Sequence, residues 1–142
     1  LFTREQAQLA LDEVQNELSH PQNANTKNDR FKLHLILPTL SEIAHHPTLV
    51  TAVQQALNDN PNILLWSSDI NIKPPNSSKF FAPHQDATYA GLQPSAQCVT
   101  VWVALSDPVG ALEGCLSFYP QSHTLGQLPH DIHLHPNDDN ND

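Results

Sequence analysis

The sequence lacks methionine altogether and has little cysteine. The first absence bears on whether the chain is complete, and the second on whether disulfides stabilise it. Among 142 residues there are 2 cysteines, Cys98 and Cys115, and no methionine. Two cysteines in a chain of this length do not form a disulfide framework, so a reducing cytoplasm is the expected location. Because the chain opens on Leu1 and closes on a polar run, we expect a segment of a longer protein, incomplete at both ends.

Basic residues are also scarce. Lysine and arginine together number 6 against 15 acidic residues, which gives a formal net charge of -9. A phosphate backbone or an anionic membrane surface would be repelled by this charge. No apolar run approaches the length of a membrane span, and no charged-then-apolar leader opens the chain. We therefore expect no nucleic-acid or membrane partner and leave the oligomeric state open.

The first part of the chain has the periodicity of amphipathic helices. Residues 3–19 are predicted to form one helix, because Thr3 and Gln6 have the spacing of a capping box and small apolar residues recur on one stripe. A second helical stretch covers 40–58 and is broken or restarted at Pro47, a residue that suits the first turn of a helix. Residues 1–62 are therefore predicted to be mainly helical.

After residue 62 the apolar period becomes two, which is typical of strands. Helices followed by strands favour an α+β fold with a mostly antiparallel sheet in one domain. Residues 127–142 are predicted to be a polar loop. The predicted strands are 63–73, 79–86, 98–105 and 114–120.

The stretch "PHQDATYA" places His84 two residues before Asp86. On a strand, such residues share one face about 6.6 Å apart, and Gln85 points to the opposite face. Metal bonds of about 2.0–2.2 Å can bridge the pair, which suits two ligands of a 2-His-1-carboxylate site. Taken alone the triplet is weak evidence, because a solvated polar pair at a strand end has the same sequence.

The surrounding motifs are more specific than the triplet. "IKPPNSSKFFAPHQDATYAGLQP", "VTVWVALSD" and "GCLSFYPQSHTLG" follow one another in this order. Together they resemble the phytanoyl-CoA dioxygenase family of iron(II)/2-oxoglutarate oxygenases, most strongly over residues 63–126. The resemblance implies a double-stranded β-helix (jelly roll) with N-terminal helices packed on the sheet, incomplete in this chain.

The resemblance also implies roles for individual residues. His84 and Asp86 are implied to ligate iron(II). Asn71 and Phe81 match residues that help to hold 2-oxoglutarate in a related hydroxylase, and Trp102 matches a tryptophan that lines the co-substrate pocket. Each of these three has an ordinary alternative: a polar residue beside a strand ladder for Asn71, and core packing for Phe81 and Trp102.

The carboxylate of Asp86 narrows the implied chemistry. In related halogenases a small residue replaces it and frees a coordination position for halide, so its presence here implies hydroxylation of a small organic substrate, with succinate and carbon dioxide as co-products. The second iron histidine and the arginine that binds 2-oxoglutarate are expected beyond residue 142. The 142 residues alone are therefore expected to be inactive.

Two other interpretations of the sequence stay open. One is a non-catalytic jelly-roll binding module, and the other is a zinc hydrolase that uses His84, Asp86 and a histidine of the tail. Several further histidines could be considered as metal ligands, but their spacing is not that of a closed metal site. His123 is expected to be structural, and surface positions are expected for His130, His133 and His135.

Overall fold

The structure, a computed structural model, describes residues 2–20, 31–74, 76–77, 80–106, 109–111 and 113–130. Its α-helices are α1 (Arg4–Leu18), α2 (Pro38–Ala44), α3 (Pro47–Ala56) and the short α4 (Ala87–Ala90). Three 3-10 turns cover Leu33–Leu35, Ser95–Gln97 and Ser122–Leu125. Residues 21–30 and the tail 131–142, with His133 and His135, lie outside the described residues.

Helix α1 begins with the predicted capping box. The backbone N–H of Gln6 donates to Thr3 Oγ1 over 3.1 Å, and the backbone N–H of Thr3 donates to Gln6 Oε1 over 2.9 Å. Two N–H groups that a helix start leaves unpaired are thereby satisfied. The predicted apolar stripe is also confirmed, because Ala10 and Val14 are buried.

The predicted second helical stretch is two helices, as the break at Pro47 indicated. Pro38 and Pro47 each occupy the first turn of a helix, where the missing N–H costs nothing and the fixed φ suits the helical backbone. At the junction, the backbone N–H of Thr48 donates to Nδ1 of His46 over 3.3 Å. The two prolines therefore set where α2 and α3 begin.

The core lies among α1, α2 and the turn between them. Its buried members are apolar side chains from these three elements, and Ile70 and Leu105 of the later half pack against their edge. Val14 is the largest fully buried side chain among the described residues. The core residues are Ala10, Val14, Leu33, Leu37 and Leu40.

The chain around Phe31 crosses the chain around Asp69, and this crossing joins the helices to the later half. Phe31 and Asp69 form an antiparallel bridge. The backbone N–H of Lys32 donates to the carbonyl of Ser68 over 2.7 Å, and its Nζ lies 4.6 Å from the centre of the Trp66 ring. Such a cation–π contact stabilises by about 0.5–1 kcal/mol at an exposed site.

Backbone pairing between extended segments is limited, over the described ranges, to that one bridge. The predicted strand 98–105 has no assigned secondary structure, and Val99 and Val101 are exposed. The α+β jelly roll therefore stays a prediction. None of the described helices is both long and apolar enough to cross a bilayer.

His34 is a buried histidine that no sequence motif singles out. Its ring Nδ1 lies 2.6 Å from Ser68 Oγ, and its backbone N–H donates to the same oxygen over 3.2 Å. Since that oxygen already accepts the backbone N–H, its own hydroxyl hydrogen is free to donate to a neutral imidazole. Burial first, and the charges of His45 and Lys32 next, lower the pKa of His34 below its ordinary value.

Val14→Ala should lower the free energy of unfolding by about 2 kcal/mol. The change removes buried methyl groups and leaves a cavity in a core that has few other members. Val53→Ala on the half-buried face of α3 is the matched control and should cost less than about 1 kcal/mol. Urea unfolding of both variants is the measurement, and equal losses would contradict this description of the core.

Acid should destabilise the fold through His34. Between the ordinary histidine pKa of about 6.5 and the lower folded pKa, the unfolded chain binds a proton that the folded chain does not. Stability should therefore fall as pH decreases through that window. His34→Gln should flatten the dependence, whereas His20→Gln, at an exposed position, should leave it as in the parent. Identical slopes for the parent and His34→Gln would exclude this origin.

Candidate metal centre

The imidazole of His84 is oriented by a hydrogen bond within its own turn. Nδ1 lies 2.7 Å from the carbonyl oxygen of Ala82, and a carbonyl only accepts, so Nδ1 carries the proton. In the neutral ring the lone pair then resides on Nε2. The side chain is 26% exposed, so this lone pair is partly shielded from water.

That lone pair faces the carboxylate of Asp86. The distance from His84 Nε2 to Asp86 Oδ1 is 3.1 Å. Two acceptors at this distance repel unless a proton or a cation lies between them. Neighbouring ligands of an octahedral ion, with bonds of about 2.1 Å at right angles, are about 3.0 Å apart. The pair therefore fits a divalent metal in both donor chemistry and spacing.

His84 and Asp86 approach each other through a turn. The predicted strand 79–86 is therefore wrong at its end. Asp86 has a helical backbone, with φ −57° and ψ −33°, and is the N-cap of α4. Gly91 ends that helix with φ +63°, in the left-handed region that glycine adopts readily. The turn brings His84 and Asp86 together as strand alternation was expected to do.

Gln85, between His84 and Asp86 in sequence, contacts a segment about forty residues away. Its Nε2 donates to the carbonyl of Gly126 over 2.8 Å. Its Oε1 accepts the backbone N–H of Leu128, also over 2.8 Å. The amide is therefore satisfied on both sides by main-chain atoms.

Tyr89 contacts His84 on one side and His130 on the other. The rings of His84 and Tyr89 meet edge to face with centroids 5.5 Å apart, and those of Tyr89 and His130 do so at 5.4 Å. The hydroxyl of Tyr89 lies 2.8 Å from Nε2 of His130. The expected surface position of His130 is wrong, because this residue is half-buried beside the site. No local pattern could reveal this, since the partners are 41 residues apart.

Of the three proposed co-substrate residues, Phe81 lies beside the pair. Its ring centroid is 6.3 Å from that of His84, and with 74% of its surface exposed it does not pack in the core. Asn71 and Trp102 are exposed, and over the described ranges neither has a hydrogen bond or ring contact with His84 or Asp86.

The described residues contain no group of three histidine, cysteine or acidic side chains that could hold a metal ion together. Within these ranges His84 and Asp86 therefore form a pair without a third such side chain. His123 is exposed in the turn Ser122–Leu125. Cys98 and Cys115 are half-buried free thiols.

Comparison with known proteins identifies similar sequences. The family model described as phytanoyl-CoA dioxygenase (PhyH) matches residues 4–142. A mouse (Mus musculus) protein named phytanoyl-CoA dioxygenase domain-containing protein 1 is 34% identical over 116 residues, which are 81% of this chain and 38% of that protein. The zebrafish (Danio rerio) protein of the same name is 36% identical over 94 residues, or 66% of this chain and 31% of that protein.

A nematode homologue from Caenorhabditis briggsae is 27% identical over 107 residues, or 75% of this chain and 36% of that protein. The chain thus spans about a third of the length of these curated relatives. No solved structure matches the chain.

Proposed function

Because the chain belongs to the phytanoyl-CoA dioxygenase family, we propose that it carries part of the metal site of an iron(II)- and 2-oxoglutarate-dependent dioxygenase. The whole protein would hydroxylate a small organic substrate. The observation that supports this proposal most directly is the 3.1 Å between His84 Nε2 and Asp86 Oδ1. The ring is turned so that its lone pair, rather than its N–H, faces the carboxylate.

His84 and Asp86 are the residues that would hold the metal. Bound iron(II) supplies the oxidation, in which one atom of O₂ enters succinate as 2-oxoglutarate loses carbon dioxide and the other becomes the substrate hydroxyl. The carbonyl of Ala82 keeps the proton of His84 on Nδ1, so that Nε2 stays available as a ligand. Asp86 contributes a negative charge that offsets part of the charge of the cation.

The co-substrate residues remain part of the proposal. We assign Phe81 to the 2-oxoglutarate side of the site, because its ring lies next to His84. Asn71 and Trp102 are assigned to the same pocket on their match to the family motifs alone. A further metal ligand and a cation for the distal carboxylate of 2-oxoglutarate have to come from outside the described residues.

We also propose a substrate class and a cellular location. The net charge of -9 disfavours polyanionic substrates, so a small organic molecule is the proposed substrate. We place the protein in the cytoplasm, where free thiols such as Cys98 and Cys115 stay reduced.

His84→Ala and Asp86→Ala should each abolish 2-oxoglutarate turnover in the complete protein, because each removes an atom that binds the metal. Succinate formation and affinity for Mn²⁺, a redox-stable substitute for iron(II), are the measurements. His20→Ala, at an exposed position after α1, is the control and should match the parent. Succinate formation near the parent rate in either site variant would refute that residue's assignment. A parent that binds metal without forming succinate would favour the binding-module alternative.

The complete protein should hydroxylate and should not chlorinate its substrate in chloride buffer, because Asp86 occupies the position that halide needs. Mass spectrometry of the product distinguishes an added oxygen from an added chlorine. Asp86→Gly opens the position and should lose most hydroxylation. A chlorinated product from the unmutated protein would contradict the role given to this carboxylate.

A further inference from the structure

The turn that carries the metal pair is joined to residues 126–130 by side-chain hydrogen bonds. Two come from Gln85, and the others join Thr88 to Gln127 over 2.6 Å and Tyr89 to His130 over 2.8 Å. All span about forty residues of sequence, from 39 to 43. The two segments therefore form one local unit around His84 and Asp86.

Gln85 differs from the other members of this unit in two respects. It lies in sequence between the two ligands, so its φ and ψ set how their side chains are presented. Its amide bonds main-chain atoms, the carbonyl of Gly126 and the N–H of Leu128, and uses both its donor and its acceptor. Together the two bonds oppose rotation of the turn.

We propose that Gln85 is a positioning residue that holds the backbone between His84 and Asp86 at the separation a metal requires. The inference rests on the proposed function, because it takes the pair to be metal ligands. Asp86 is 55% exposed, so neighbouring side chains alone do not restrain its carboxylate. Without the amide, the backbone between His84 and Asp86 would be more mobile in the metal-free protein. Metal binding would then cost the conformational entropy of ordering it, which weakens binding.

Tyr89 restrains the other face of the site. Its ring meets the imidazole of His84 at 84°, and its hydroxyl lies 2.8 Å from Nε2 of His130. His84 is thus held by its hydrogen bond to Ala82 and by its ring contact with Tyr89, whereas Asp86 depends on the turn that Gln85 anchors.

Affinity for Mn²⁺, measured by electron paramagnetic resonance without co-substrate, tests the proposal in the complete protein. Gln85→Met keeps the length of the side chain and removes both hydrogen bonds, and it should weaken affinity about tenfold, as is common when residues that orient metal ligands are lost. Gln97→Met is the matched control. Gln97 is exposed, with no side-chain hydrogen bond among the described residues, and its variant should bind as the parent does.

Gln85→Glu covers the case in which the methionine variant does not fold. It keeps the acceptor for Leu128 and loses the donor to Gly126, and its added negative charge attracts the cation. Weaker binding by this variant therefore reflects lost positioning rather than lost charge.

The thermal midpoint of each variant separates positioning from simple destabilisation. Folded Gln85→Met or Gln85→Glu with the affinity of the parent, or above it, would overturn the proposal. A parent that binds no Mn²⁺ would instead refute the proposed function and this inference together.

Discussion

The hydrogen bond between Nδ1 of His84 and the carbonyl of Ala82 determines what the site can do. A histidine ring has two nitrogens, and a ring free to rotate presents either a lone pair or an N–H to its neighbour. Here the carbonyl accepts a hydrogen bond from Nδ1–H, so the lone pair on Nε2 meets the carboxylate of Asp86 at 3.1 Å. That contact is unfavourable by itself and becomes favourable when a proton or a metal cation lies between the two atoms. The site is thus arranged for a partner of positive charge.

The helices contribute stability rather than chemistry. Their side chains form a core of five buried apolar residues. The later half is attached to this core through the crossing of Phe31 with Asp69 and through the packing of Ile70 and Leu105. The buried His34 lies at the same crossing, bonded to Ser68, so the attachment is sensitive to acid.

Local patterns in the sequence were sufficient for the helices and for the pair. The capping box of Thr3 and the proline at position 47 act within one turn of helix, and the proximity of His84 and Asp86 follows from their spacing of two positions. Gln85, Tyr89 and His34 were not identified, because each depends on a partner more than thirty residues away. The same limit applies to strands, since alternation predicts an extended backbone but does not identify its partner. The jelly roll and the roles of Asn71 and Trp102 accordingly stay predictions.

Because Gln85 bonds main-chain atoms of Gly126 and Leu128, these two positions differ in the substitutions that they tolerate. The side chain of Leu128 takes no part in its bond, so this position can change in size or polarity without altering what Gln85 holds. Gly126 is different, because its φ of +68° is one that other residues rarely adopt. One position beside the site is therefore free to diversify while the other is restricted by backbone conformation alone. The surface beside His84 and Asp86 can therefore change at position 128 while the bonds of Gln85 keep their geometry.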